Sequence, residues 1–141
     1  MADLTITAAN VSLVSGVPFP DQRAGGAITT GDVVYQADDQ TWQRAKASGT
    51  VQEAGSNNYG IALATAAAAG ARISVAGPGC TVALGAGAIG TIYCISATAG
   101  KIAPAADMAS TNKVTILGVG VATNRLVLTP GSNYVSGAVV P

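Results

Sequence analysis

The sequence predicts an all-β protein: one compact domain, a small β-barrel or sandwich-like in form, with an extended N-terminal arm. Three observations predict it. The chain has 141 residues and a mass of 13.7 kDa, the size of one domain rather than two. Its apolar residues come in short runs bounded by turn-forming residues instead of recurring at helical spacing. Val, Ile and Thr fill those runs, and their branched Cβ atoms suit a pleated surface better than a helix.

In chain order the runs are residues 4–7, 11–14, 33–36, 60–65, 72–76, 80–84, 91–96, 114–121 and 126–129. Residues 1–23 are assigned to the arm: Leu4-Thr5-Ile6-Thr7 alternates as an edge strand should, while Gly16, Pro18 and Pro20 prevent long regular pairing. The β-domain spans residues 24–130. Near its start, residues 33–36 turn around Asp38 to Thr41 into a hairpin, in a register that places Tyr35 near Arg44 and Ala37 near Trp42 and turns the aromatics outward. The alanine-rich stretch 62–71 invites a helix, but Ala66 to Ala69 followed by Gly70 reads as a loop, too short to hold a helix without packing.

Two further hairpins complete the domain. Across the glycine-rich loop 85–90, Val82 is set opposite Ile92, Leu84 opposite Gly90 and Cys80 opposite Cys94, which makes one face wholly apolar. Across a two-residue turn at Thr123 and Asn124, Val121 is set against Leu126 and Val119 against Leu128. These registers predict a core of Val82, Leu84, Ile92, Ile116, Leu117, Val119, Val121, Leu126 and Leu128. The tail, residues 131–141, is uncharged and apolar, with Tyr134, Val135, Val139 and Val140, and is expected to dock on the domain or on a partner subunit.

Composition excludes most chemistry. Seven Lys and Arg balance seven Asp and Glu, and only 10% of residues are charged, against about 25% in ordinary soluble domains. No electrostatic grip on nucleic acid or anionic lipid is expected. The first twenty residues carry Asp3, no Lys or Arg and no sustained apolar block, so they do not read as a secretory signal, and synthesis in the cytoplasm is expected. The 28 uncharged residues between Arg72 and Lys101 are broken by Pro78 and six glycines, too often for a membrane-spanning helix.

With no His in the chain, Cys80 and Cys94 cannot complete a zinc site, and no Ser or Cys has a base beside it. The two cysteines are read as small reduced core residues, a disulfide between them being the other possibility their opposed register leaves open. Gly85-Ala86-Gly87-Ala88-Ile89-Gly90 matches G-x-G-x-x-G, yet Thr91-Ile92-Tyr93-Cys94-Ile95 after it reads as a strand where a dinucleotide site needs a helix. The glycines are turn formers. Asp38 and Asp39 are adjacent at a turn and project in different directions, so they serve the turn rather than paired acid/base chemistry or Ca²⁺ binding. Asn10-Val11-Ser12 matches a glycosylation sequon by coincidence. No enzyme activity, cofactor or metal is expected.

A family pattern runs through the rest. Ala2-Asp3-Leu4-Thr5-Ile6-Thr7, then residues 26–35 (GAITTGDVVY), Gly60-Ile61-Ala62-Leu63 with its Ala/Gly connector, and Val82-Ala83-Leu84-Gly85 belong to it. So do Gly90-Thr91-Ile92-Tyr93, residues 97–104 (ATAGKIAP) and Ile116-Leu117-Gly118-Val119-Gly120. Together these stretches, covering most of the chain, resemble the head decoration (cement) proteins of tailed bacteriophages. The resemblance implies a small β-rich structural protein, often a homotrimer, that sits on the outer capsid surface of the virion and clamps major capsid protein subunits together. On that reading the arm docks on a neighbouring capsid subunit by strand addition, with Leu4, Ile6, Leu13, Val14, Val17 and Phe19 as the capsid-binding residues. Pro18 and Pro20 flank the chain's only Phe and hold it extended. The other reading of the segment is that it completes the protein's own β-domain. The alternative function is a receptor- or glycan-binding module of a phage fibre or adhesin, for which the chain offers Trp42 and four tyrosines.

Overall fold

The computed structural model describes residues 3–4, 6–48, 53, 58–77, 79–85, 90–104, 113–114, 116–122, 124–128 and 138–139. A 3-10 turn, Ala8–Asn10, is the only helical element among them. The strands are β1 (Ser12–Ser15), β2 (Phe19–Ala24), β3 (Val33–Gln36), β4 (Thr41–Arg44), β5 (Tyr59–Ala62), β6 (Arg72–Ala76) and β7 (Thr81–Ala83). They continue with β8 (Ile92–Ile95), β9 (Ile102–Pro104), β10 (Lys113–Val114), β11 (Ile116–Ala122), β12 (Arg125–Leu128) and β13 (Ala138–Val139). The all-β expectation holds, in the form of a barrel plus a separate sheet.

Strands β2, β4, β3, β5 and β6 close the barrel in that order, with a single parallel contact, β2 to β4. A six-stranded antiparallel sheet runs β1-β7-β12-β11-β8-β9, and β10 pairs with β13 apart from both. Strand β3 decides how the two parts meet. Val33, Val34 and Tyr35 are all buried, because successive side chains point to opposite faces and both faces are covered. Val34 joins Trp42, Ile73, Val75 and Ile28 inside the barrel. Val33 and Tyr35 face the other way and share a second core with the inner face of the sheet, where Val82, Tyr93, Ile95, Leu117, Leu126 and Leu128 lie.

Pairing departs from expectation at three hairpins. Residues 80–84 and 91–96 do not pair: β7 lies between β1 and β12, and β8 between β11 and β9. Val82 stands opposite Leu126, and Ile92 opposite Val119. The expected register would have buried Ile92 and Cys94 at the cost of exposing Tyr93 and Ile95. The chain instead buries Tyr93 and Ile95, keeps Cys94 buried as well, and leaves Ile92 45% exposed.

In the second hairpin the turn is as expected, with Ala122 opposite Arg125 and Asn124 in the left-handed region at φ 70°. A bulge at Val121 then slips the register by one, so Gly120 and Gly118 oppose Leu126 and Leu128. Both leucines are buried; Val121 is 51% exposed, and Val119 and Ile116 are only partly covered. Gly118 is needed there, since a methyl group would overlap the Val127 carbonyl. In the third hairpin Ala37 closes on Thr41 over a three-residue loop with Gln40 at φ 68°, which puts Tyr35 opposite Gln43 and Gln36 opposite Trp42. The aromatics therefore point inward: Trp42 is 1% and Tyr35 6% exposed.

The stretch 62–71 is non-helical after β5, as read from the sequence. Strand β2 crosses the residue 23/24 boundary and closes the barrel against β6. Most of the tail 131–141 lies outside the described residues; Ala138–Val139 pairs with Lys113–Val114.

These registers separate two residues that the sequence places together in the core. Leu126→Ala should lower the unfolding free energy by about 2–5 kcal/mol, while Val121→Ala should change it by less than about 0.5 kcal/mol. Chemical denaturation of the two variants checks the slip directly.

Candidate functional site

The six-stranded sheet presents an outer face that crosses five of its strands. Direct pairing lines up Ser15, Thr81, Val127, Val119 and Ile92 across β1, β7, β12, β11 and β8. Opposed residues share a face, so this row stands on the side away from Val82, Leu126 and Tyr93. Val127 and Val119 are half-buried and Ile92 is exposed. Within the six strands Arg125 is the only charged side chain, and it is exposed. The face is thus a β-branched, nearly uncharged surface.

The six arm residues do not form one surface. Leu4, Ile6 and Leu13 are half-buried against the core between barrel and sheet. Phe19 packs on the barrel interior, its ring 5.7 Å from that of Trp42. Val14 and Val17 are 41% and 88% exposed. Around them the segment is held by the Leu4 N–H bond to the Ile102 carbonyl at 2.8 Å, by Ser96 donating its hydroxyl to the Asp3 carboxylate, and by the pairing of β1 with β7.

Candidates for chemistry resolve into structure. Gly85 and Gly90 take left-handed φ values of 71° and 78°, and β8 follows, so the G-x-G-x-x-G stretch leads to no helix; residues 86–89 lie outside the described residues. Asp39 accepts the hydroxyl and N–H of Thr41 at 2.6 and 3.0 Å, and those bonds hold its carboxyl below the usual range. Among the described residues no group of three or more His, Cys, Asp or Glu side chains is placed to hold a metal. Trp42, Tyr59, Tyr93 and Tyr35 are all buried, and the Trp42 indole N–H donates to Gln22 at 2.9 Å. Tyr134 lies outside the described residues.

Cys80 and Cys94 are both free and buried. Cys80 pairs through its backbone with Leu128, beside β7, while Cys94 sits on β8 beyond β12 and β11. Three strand spacings amount to roughly 14 Å, beyond the reach of about 7 Å between Cα atoms that a disulfide allows. The register that would have opposed them does not form.

The sequence gives no signal for one polar constellation. Asp32 follows the turn at residues 29–32 and is 7% exposed; Arg44 lies on β4. Their side chains meet at 2.9 Å in a polar cleft between barrel and sheet. They are twelve positions apart in sequence, and the β3–β4 hairpin brings them together.

No protein-family model, curated protein or solved structure matches the chain.

Burial pushes the Cys94 thiol up to about 11 from an ordinary value of 9.0. The folded state therefore favours the neutral thiol, and the stability it gives is present below about pH 9 and lost as pH rises toward about 11. Cys94→Ala should remove that part of the alkaline loss in denaturation curves taken across the window. Native protein at pH 8 should leave a thiol reagent unreacted until denaturant is added.

Proposed function

We propose that the protein is a non-enzymatic structural component of a bacteriophage virion, binding the outer surface of the capsid and tying major capsid protein subunits together. The family resemblance supplies the role, and the outer face of the six-stranded sheet is the observation that carries it here. A face built from Ile92, Val119, Val127 and Thr81, with Arg125 as its only charge, favours burial against a matching apolar surface. Homotrimer formation belongs to the same reading: closed symmetry covers apolar surface without starting a filament. Host-cytoplasm synthesis and a final place on the virion surface follow from that role.

The glycan-binding alternative needs aromatic rings open to stack on sugar. Among the described residues Trp42 is 1% exposed, and Tyr35, Tyr59 and Tyr93 are likewise buried, which weighs against it.

Two measurements test the reading. A virion reconstruction should place the protein in a regular lattice over the head; density confined to tail or fibre tips would overturn it. The double variant Ile92→Lys/Val119→Lys should retain its fold and lose at least tenfold in affinity for isolated heads, while unchanged binding would remove the sheet face from the interface.

Sedimentation at micromolar concentration should show a trimer. A stable monomer would contradict that part of the proposal.

A further inference from the structure

Two tight turns face each other at the junction of barrel and sheet, across a cleft of about 130 Å³. The barrel contributes residues 29–32, closed by the Asp32 N–H bond to the Thr29 carbonyl at 2.9 Å. The sheet contributes residues 98–101, closed by the Lys101 N–H bond to the Thr98 carbonyl at 3.2 Å. Between them the Asp32 carboxylate accepts the Thr29 N–H and the Arg44 Nε–H on the same oxygen, both at 2.9 Å. Gly100, at φ 78°, lets the sheet turn press on this pair: a Cβ there would come 3.1 Å from the Asp32 carboxyl carbon and 3.2 Å from Arg44 Cδ.

The result is a guanidinium fixed on one side and open on the other. Asp32 is buried, whereas 44% of the Arg44 side chain is exposed. A guanidinium has five N–H donors, and among the described residues only Nε is engaged by a protein acceptor. Its terminal edge is uncommitted. Lys101, also exposed, lines the same cleft. A neighbouring cleft on the other flank of Arg44 contains Lys46 and Glu53, which pair with each other at 3.6 Å. The carboxylates lining the two clefts, Asp32 and Glu53, are therefore matched to cations, and among the described residues Lys101 has no ion-pair partner.

The geometry points to a binding site for a carboxylate, carried as an Asp or Glu side chain by a partner protein and seated between the outward edge of Arg44 and Lys101. A planar guanidinium edge matches two carboxylate oxygens, and a lysine beside it adds a point charge. Asp32 beneath the guanidinium repels a second negative charge, so a monoanion suits the site better than a phosphate dianion. The cleft has a single large apolar wall residue, Ile6, and of the backbone donors on its two turns only the Ala99 N–H lacks an acceptor among the described residues, so a free small carboxylate is held only weakly. A side chain presented by a docked protein needs no such hold, because the rest of the contact supplies the effective concentration. The site is independent of the outer sheet face and of the capsid reading.

The test is an amide chemical-shift titration of the full-length protein at constant ionic strength. The probes are sodium acetate, a blocked short peptide with one Glu, the same peptide with Gln, sodium phosphate and sodium chloride. Acetate and the Glu peptide should give saturable shifts centred on Thr30, Gly31, Gly100 and Lys101; the Gln peptide and chloride should not, and phosphate should bind more weakly than acetate. Lys101→Gln leaves the Asp32–Arg44 pair in place and should weaken acetate binding at least fivefold with an unchanged thermal midpoint. Equal shifts with chloride, tighter binding of phosphate, or full affinity in Lys101→Gln would each overturn the site. Binding of acetate without the Glu peptide would overturn the protein-borne partner.

Discussion

Val33, Val34 and Tyr35 have neither face open to water, and the rest of the molecule is arranged around that constraint. Val34 fills the barrel; Val33 and Tyr35 are covered only if a second layer packs on the barrel wall. The six-stranded sheet is that layer. Its attachment is also polar: the Val33 N–H reaches the Gly100 carbonyl, the Gly100 N–H reaches the Ala45 carbonyl, and the Ala47 N–H reaches the Ser96 carbonyl, at 3.0, 2.9 and 2.8 Å. Backbone groups that a surface barrel strand would leave to water are thereby paired across the seam. Shared apolar contacts and backbone hydrogen bonds thus join the barrel and the sheet along one seam.

A chain that is 10% charged and rich in alanine and glycine can bring backbones unusually close. Gly60 lies where a methyl group would meet the Ala76 carbonyl, and Gly118 where it would meet that of Val127. Gly31 receives Ile6 and Val11 against its α-carbon, and Gly85 receives Asn10. The N-terminal segment thus lies in shallow tracks that side chains elsewhere would fill, and its apolar residues add to the same core that covers β3. Val14 and Val17 are left outward from that wrapping, which reduces the surface an N-terminal contact with another subunit can use.

Fold class was legible because it rests on local chemistry: β-branched runs, turn glycines, and the Thr123-Asn124 turn, whose Asn takes the left-handed conformation that Asn tolerates. Pairing was less legible, for two physical reasons. Ile92-Tyr93-Cys94-Ile95 is apolar at every position, so it carries no alternation to say which face is inward. Neighbouring strands are also remote in sequence: β7 meets β1 on one side and β12 on the other. The bulge at Val121 has no residue signature beyond the adjacent glycines, yet it moves Val121 out and two leucines in. Nor does a lone Asp and a lone Arg twelve positions apart announce a contact; hairpin register makes it.

That contact is informative because charged side chains are scarce here. A charge pair drawn partly out of water gains little net stability over apolar residues of the same volume, and this chain has apolar residues in abundance. The Thr29 N–H needs an acceptor, but a neutral side chain could supply one. What a carboxylate adds is a fixed guanidinium: Nε is held on Asp32, Cδ lies beside Gly100, where no Cβ intrudes, and the side chain lines the cleft. Orientation set in advance lowers the entropy lost when a partner group arrives. The seam that joins barrel to sheet therefore also presents an aimed cation at the surface, and the two roles draw on the same turns, residues 29–32 and 98–101.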